Sequence, residues 1–102
     1  MIQVIVFVPS EHKEKVKMAM FNAGAGRMGN YDSCSFEHMG IGQFRPLPGS
    51  KAFIGKVNEI EIVEEVRIEM VCEDEAYSQV IAAIKSSHPY ETPAYYGIKT
   101  LR

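Results

Sequence analysis

Hydrophobic positions along the chain change their period several times, and each change marks an element. Ile2 to Val8 are almost wholly apolar and rich in β-branched side chains, which predicts a central strand covered on both faces. Pro9-Ser10 interrupts that run. Val16, Ala19, Met20 and Ala23 then recur at helical spacing, predicting an amphipathic helix over 11–23. Ser10 stands where an N-cap is wanted, Glu11 where the helix dipole favours an acid, and Gly24 where a left-handed C′ residue ends a helix. Short strand patterns follow over 33–39 and 42–46, joined around Gly40-Ile41-Gly42. Pro46, Pro48 and Gly49 then open an excursion that runs to Gly55.

The clearest alternation covers residues 59–72. Ile60, Ile62, Val66, Ile68, Met70 and Cys72 point one way, broken only by Glu64. Glu59, Glu61, Glu65, Arg67 and Glu69 point the other way, with Val63 and Val71 among them. Such a pattern predicts a long antiparallel strand with one core face and one charged face. A second helix is predicted over 75–87, with Tyr77, Val80, Ile81 and Ile84 on one side and Lys85 near its end; a last strand spans Ala94–Leu101. The order β-α-β-β-α-β predicts an α+β ferredoxin-like sandwich, an antiparallel sheet with two helices on one face. At 102 residues the chain reads as one domain, 1–102, large enough for a single core. Over 46–58 the pattern leaves open whether Ala52-Phe53-Ile54 adds a strand.

Composition narrows the partners. A net charge of −2 argues against nucleic acid, which requires a basic face to replace counterions. Lys13, Lys15 and Lys17, interrupted by Glu14, read as a solvated helix face. No apolar run approaches the ~20 residues of a membrane span, and a strand pattern begins at once after Met1, with no charged leader. The expectation is a cytoplasmic protein with two free thiols: Cys34 packs beside Phe36 on a core face, and Cys72 lies on the apolar phase of its strand.

Candidate chemistry lies in two segments. Gly24-Ala25-Gly26-Arg27-Met28-Gly29 matches the glycine spacing of dinucleotide loops. Its context is reversed, however, with a helix before it and a strand after it, so a helix C-terminus rather than an N-terminus would face the anion. What remains is a loop whose amides could form an anion nest at Gly26 and Gly29 beside Arg27 and Tyr31. The second segment is His88-Pro89-Tyr90-Glu91-Thr92-Pro93, a stiff corner because each proline restricts the residue before it. His88 is placed to donate to the last carbonyls of the second helix, and Tyr90 to cover the core edge with its hydroxyl near the surface. Glu91 is left without an evident task beyond accepting backbone amides. The candidate ligand residues are therefore Gly26, Arg27, Gly29, Tyr31, His88, Tyr90 and Glu91.

No cofactor is expected. His12, His38, His88, Cys34, Cys72 and Glu91 include metal-ligating types, yet none stands at CxxC or HxxxH spacing. A divalent-cation site through His38, His88, Cys34 or Glu91 would have to be assembled across strands or subunits. Nor does any local motif set a base beside a nucleophile. Glu65, Arg67 and Glu69 read as an ion-pair row along one strand face.

The strings Gly24-Ala25-Gly26, Gly29-Asn30-Tyr31, Cys34-Ser35-Phe36, Gly40-Ile41-Gly42-Gln43-Phe44-Arg45-Pro46, Gly55, Glu64-Glu65-Val66-Arg67-Ile68-Glu69 and His88-Pro89-Tyr90-Glu91 with Pro93-Ala94-Tyr95 occur in one order. That order resembles the YqfO insert domain, the small domain inserted in many bacterial GTP cyclohydrolase 1 type 2 homologs, and the resemblance covers essentially the whole chain. His-Pro-Tyr-Glu also resembles the C-terminal part of the trimeric CutA proteins, which share a ferredoxin-like architecture with PII signalling proteins. In the larger family the dimetal site belongs to the flanking core domain, so the resemblance carries no metal ligand or catalytic residue onto this chain, which looks like a free-standing insert. It implies a CutA/PII-like homotrimer: a non-enzymatic binding or regulatory module for a small ligand or protein partner. The alternatives are a CutA-like divalent-cation-binding protein and an enzyme with an intersubunit acid–base pair. The predicted length of the 59–72 strand supports assembly, because an overhang leaves backbone groups for another copy to pair.

Overall fold

The computed structural model describes residues 1–102. In chain order the elements are β1 (Ile2–Pro9), α1 (Lys13–Asn22), β2 (Phe36–Phe44), β3 (Glu61–Cys72), α2 (Tyr77–Ser87) and β4 (Tyr95–Lys99). The strands form one antiparallel sheet in the order β2-β3-β1-β4. This is the α+β ferredoxin-like sandwich that the sequence predicts.

Strand parity decides what is core. Val4, Val6 and Val8 of β1 share a face with Val66, Ile68, Met70 and Cys72 of β3, and all are buried against Val16 and Met20 of α1 and Val80 and Ile84 of α2. Both helices therefore lie on that face. None is long and apolar enough to cross a membrane. The other face carries Gln3, Phe7, Glu65, Arg67 and Glu69, as the alternation requires.

Several boundaries depart from the sequence reading. Ser10 does not cap a helix: it opens a 3₁₀ turn over Ser10–His12 with no side-chain cap, its hydroxyl lies 3.7 Å from the Met39 sulfur, and α1 starts only at Lys13. The helix end is as expected. Gly24 has φ +107° and donates to the Phe21 carbonyl, while Ala25 donates to Met20, the bond pair of a Schellman motif. The two short strands expected over 33–39 and 42–46 are one continuous strand, β2, because Gly40 and Gly42 stay extended and pair with Glu65 and Val63. No strand forms at Ala52-Phe53-Ile54.

The parity of β2 also overturns the placement of Cys34 and Phe36 on a core face. Met39 pairs with Val66 on the helix side, so Phe36 and His38 point to the open face, where Phe36 is 64% exposed. Cys34 precedes the strand and is half-buried, whereas Cys72 is buried and its thiol pKa is raised by that burial; both are free. Glu37 is the polar residue that this parity brings toward α1. It is satisfied by Lys13 at 2.6 Å and Lys17 at 2.8 Å, and these bonds hold its carboxyl below the ordinary range.

Beyond Glu65 the sheet narrows. Pairing of β1 with β3 stops at Pro9↔Glu65, whereas β2 pairs with β3 back to Glu61. The result is a two-stranded arm, and Ile60 and Ile62, on the apolar phase of the sequence pattern, are exposed there instead of joining the core. Urea denaturation should separate the two environments. Ile68→Ala, in the fully buried core, should cost ~2–5 kcal/mol, and Met18→Ala, on the exposed side of α1, should stay within ~0.5 kcal/mol.

Candidate functional site

The corner after α2 is held by its histidine. Pro89 keeps His88 extended, at φ −75° and ψ 137°, so the chain leaves the helix there while the His88 amide still donates to the Ile84 carbonyl. Contrary to the expectation from sequence, the imidazole does not donate to the last-turn carbonyls of α2. It crosses to β1 instead, where Nε2 lies 2.7 Å from the Phe7 carbonyl oxygen, and Nδ1 accepts the Tyr90 amide at 3.1 Å. One species satisfies both contacts: the neutral ring with its proton on Nε2. His88 is 7% exposed, and burial holds its pKa below the ordinary value of 6.5 despite the Phe7 carbonyl and nearby Glu65, which favour charge.

Tyr90 packs its ring 5.0 Å from His88 and 5.6 Å from Phe44, centroid to centroid. Its hydroxyl donates to Glu65 Oε2 at 3.0 Å. Burial first, and the Glu65 carboxylate second, raise the phenol pKa far above its ordinary value, so Tyr90 stays a donor. Glu65 needs space to take that position, and glycine supplies it. A Cβ on Gly42 would lie 2.0 Å from Glu65 Oε1. The glycine-punctuated run in β2 and the His-Pro-Tyr-Glu corner are thus two parts of one contact.

Glu91 has a task as well: its Oε2 accepts the Lys51 amide at 3.0 Å and fastens the 46–58 excursion to the corner. Between excursion, corner and sheet lies a cleft of about 260 Å³, lined by Phe7, Phe44, Pro46, Phe53 and Ile54, with Glu65, Tyr90 and Glu91 among its polar positions. The sequence pattern alone places Glu65 in an ion-pair row and gives the phenylalanines of the cleft no role. Paired glycines inside a strand pattern were the available signal for a close approach.

The glycine loop lies elsewhere. Gly26 donates to the Val71 carbonyl at 2.8 Å, near the far end of the β1–β3 ladder, where Val71 pairs with Gln3. Glu65 is six residues away along β3, ~20 Å. The amides of Gly24, Ala25 and Gly26 are all engaged by protein carbonyls, as are those of Met28 and Tyr31. Gly26 itself is required by space and conformation: its φ is +78°, and a Cβ would lie 2.8 Å from the Cys34 carbonyl and the Phe21 ring. Arg27, Gly29 and Tyr31 are exposed. Cys34 borders a separate cleft of about 300 Å³ with Gln3, Met28, Phe36 and Glu69. His38 pairs with Arg67 on the open face, and His12 packs on Phe53. Within one chain the structure brings His88, Tyr90 and Glu91 together, separates them from the loop, and gathers no three metal-ligating side chains.

A double-mutant cycle tests the Gly42–Glu65–Tyr90 contact. Tyr90→Phe should cost ~1–2 kcal/mol through the lost hydrogen bond to a carboxylate. Gly42→Ala should displace the same carboxylate, so the pair should cost clearly less than the sum of the singles. Additive losses in chemical denaturation would show that Glu65 and Tyr90 are independent.

No protein-family model matches the chain. The GTP cyclohydrolase 1 type 2 homolog of Bacillus subtilis (strain 168) is 50% identical over 93 residues, which are 91% of this chain and 25% of that protein. The crystal structure of a Bacillus cereus protein related to NIF3 superimposes with a TM-score of 0.85 at 40% identity, covering 99% of this chain and 26% of that one. The periplasmic divalent cation tolerance protein CutA from Archaeoglobus fulgidus gives a TM-score of 0.71 at 20% identity, covering 100% and 86%. The last likeness shows the fold. The chain spans about a quarter of the length of the curated relatives it matches. It is thus similar to the insert-domain segment of the GTP cyclohydrolase 1 type 2 homologs, as its motifs imply, and carries that segment on a CutA-like ferredoxin fold.

Proposed function

We propose that the chain is a homotrimeric, non-enzymatic binding or regulatory module that takes its ligand in the cleft behind the His88–Glu91 corner. The observation that carries this reading is the construction of the cleft. Its walls come from three separate parts of the chain, fixed by His88 to β1, by Tyr90 to β3 and by Glu91 to the excursion. A concave, largely apolar and pre-formed space with a few oriented polar groups is the common form of a small-ligand site.

Support for assembly comes from the arm. Ile41, Ile60 and Ile62 are 74%, 63% and 62% exposed there, and residues 61–64 of β3 pair on one side only. A two-stranded ribbon is marginal alone in water, and a free strand edge invites pairing. Seating the arm on a different surface of a neighbouring copy is a head-to-tail contact, which three copies close into a ring. The exposed Phe36, Tyr96 and Ile98 of the open sheet face supply further apolar surface for such a ring to cover. We assign the module to the cytoplasm, where the free Cys34 and Cys72 would remain reduced.

Light scattering on the chain at micromolar concentration should give three times the 11.4 kDa chain mass. Ile62→Glu should reduce this to the mass of one chain with the far-ultraviolet circular dichroism unchanged. A one-chain mass for the unaltered protein would contradict the assembly.

A further inference from the structure

We infer that the cleft selects an organic cation, an ammonium group carried on a small apolar or aromatic body, over neutral and anionic molecules of the same shape. The inference rests on the cleft being a ligand site, as proposed above, and adds the chemistry of what enters it. Four aromatic rings line the space, those of Phe7, Phe44, Phe53 and Tyr90, and the charged groups among its lining residues are Glu65 and Glu91. No lysine, arginine or histidine lines it. Aromatic faces attract cations through the ring quadrupole, and carboxylates reinforce that attraction while repelling anions.

The two carboxylates are each half used. Glu65 Oε2 accepts Tyr90 and Glu91 Oε2 accepts the Lys51 amide, while the second oxygen of each takes no donor from the protein. Tyr90 fixes the direction of Glu65, so an entering ammonium meets an acceptor already oriented. Arg67 is a cation beside one of these rings. Its guanidinium lies 5.8 Å from the Phe7 ring centroid, but it bonds Glu69 at 3.1 Å and does not line the cleft. An inorganic divalent ion is the poorer occupant, since such ions take about six or more oxygen ligands and these walls are largely apolar, with two carboxylates. At ~30 Å³ per displaced water, 260 Å³ holds a molecule of on the order of ten heavy atoms.

The test uses three probes of one shape on the ¹⁵N-labelled full chain at pH 7: phenethylammonium, 2-phenylethanol and phenylacetate. Phenethylammonium should shift the amides of Phe53, Tyr90 and Glu91 at about tenfold lower concentration than the alcohol, and phenylacetate should leave them in place. Glu65→Gln, which keeps an oxygen for Tyr90, should remove most of the ammonium preference without weakening the alcohol. Glu91→Gln, which keeps an oxygen for Lys51, provides the second variant. Equal binding of the three probes in the cleft, or tighter binding of phenylacetate, would overturn the charge selection and leave the cleft as a ligand site. Failure of all three to perturb cleft residues would overturn both readings.

Discussion

The corner after α2 depends on a single neutral imidazole. His88 stands where α2 must stop because of Pro89, and it spans from the Phe7 carbonyl of β1 to the Tyr90 amide. Ser87 and His88 are the buried polar residues of the chain, and the histidine is the one that joins two distant segments. Removing the ring would leave the Phe7 carbonyl without that donor and release the turn that aims Tyr90 at Glu65. A charged ring would be no better, because the added proton on Nδ1 would confront the Tyr90 N–H. The corner is therefore a conditional structure, stable while His88 stays neutral.

The same economy runs through the sheet. A long β3 serves two purposes along its length. From Glu65 to Cys72 it is a central strand with a buried aliphatic face, and from Glu61 to Glu64 it is half of an arm. Glu65 lies at the junction and faces the corner. Gly42, opposite Val63, is required because the Glu65 side chain fills the space its Cβ would occupy. Glu65 thus serves twice, as the acceptor that fixes Tyr90 and as one wall of the cleft.

Much of the fold was legible because period and burial coincide. The valines of β1 and the alternation from Val66 to Cys72 specify the core face without ambiguity, and Gly24 marks the helix end through its left-handed conformation. Legibility failed where tertiary partners override local pattern. Phe36 reads as core from its own apolarity, yet the register with β3 turns it outward. Ile60 and Ile62 continue the apolar phase past the point where β1 and the helices can cover them. In the candidate site, the corner is visible from its two prolines, but its contacts are not. The partner of His88 lies 81 positions away on β1, and that of Tyr90 lies 25 positions away on β3. No spacing rule reaches across such separations.

The most direct test of this account is the protonation of His88 in the folded protein, read from the ring ¹⁵N resonances between pH 8 and pH 5. Because the folded pKa lies below 6.5, the unfolded chain takes up the proton first as pH falls. The stabilisation from the neutral ring is complete above that value and is lost as pH drops through it toward the folded pKa. The account predicts a neutral ring bearing its proton on Nε2 that persists below pH 6.5, with the Tyr90 amide moving only when the ring finally titrates. A ring that titrates at or above 6.5, or that carries its neutral proton on Nδ1, would contradict it.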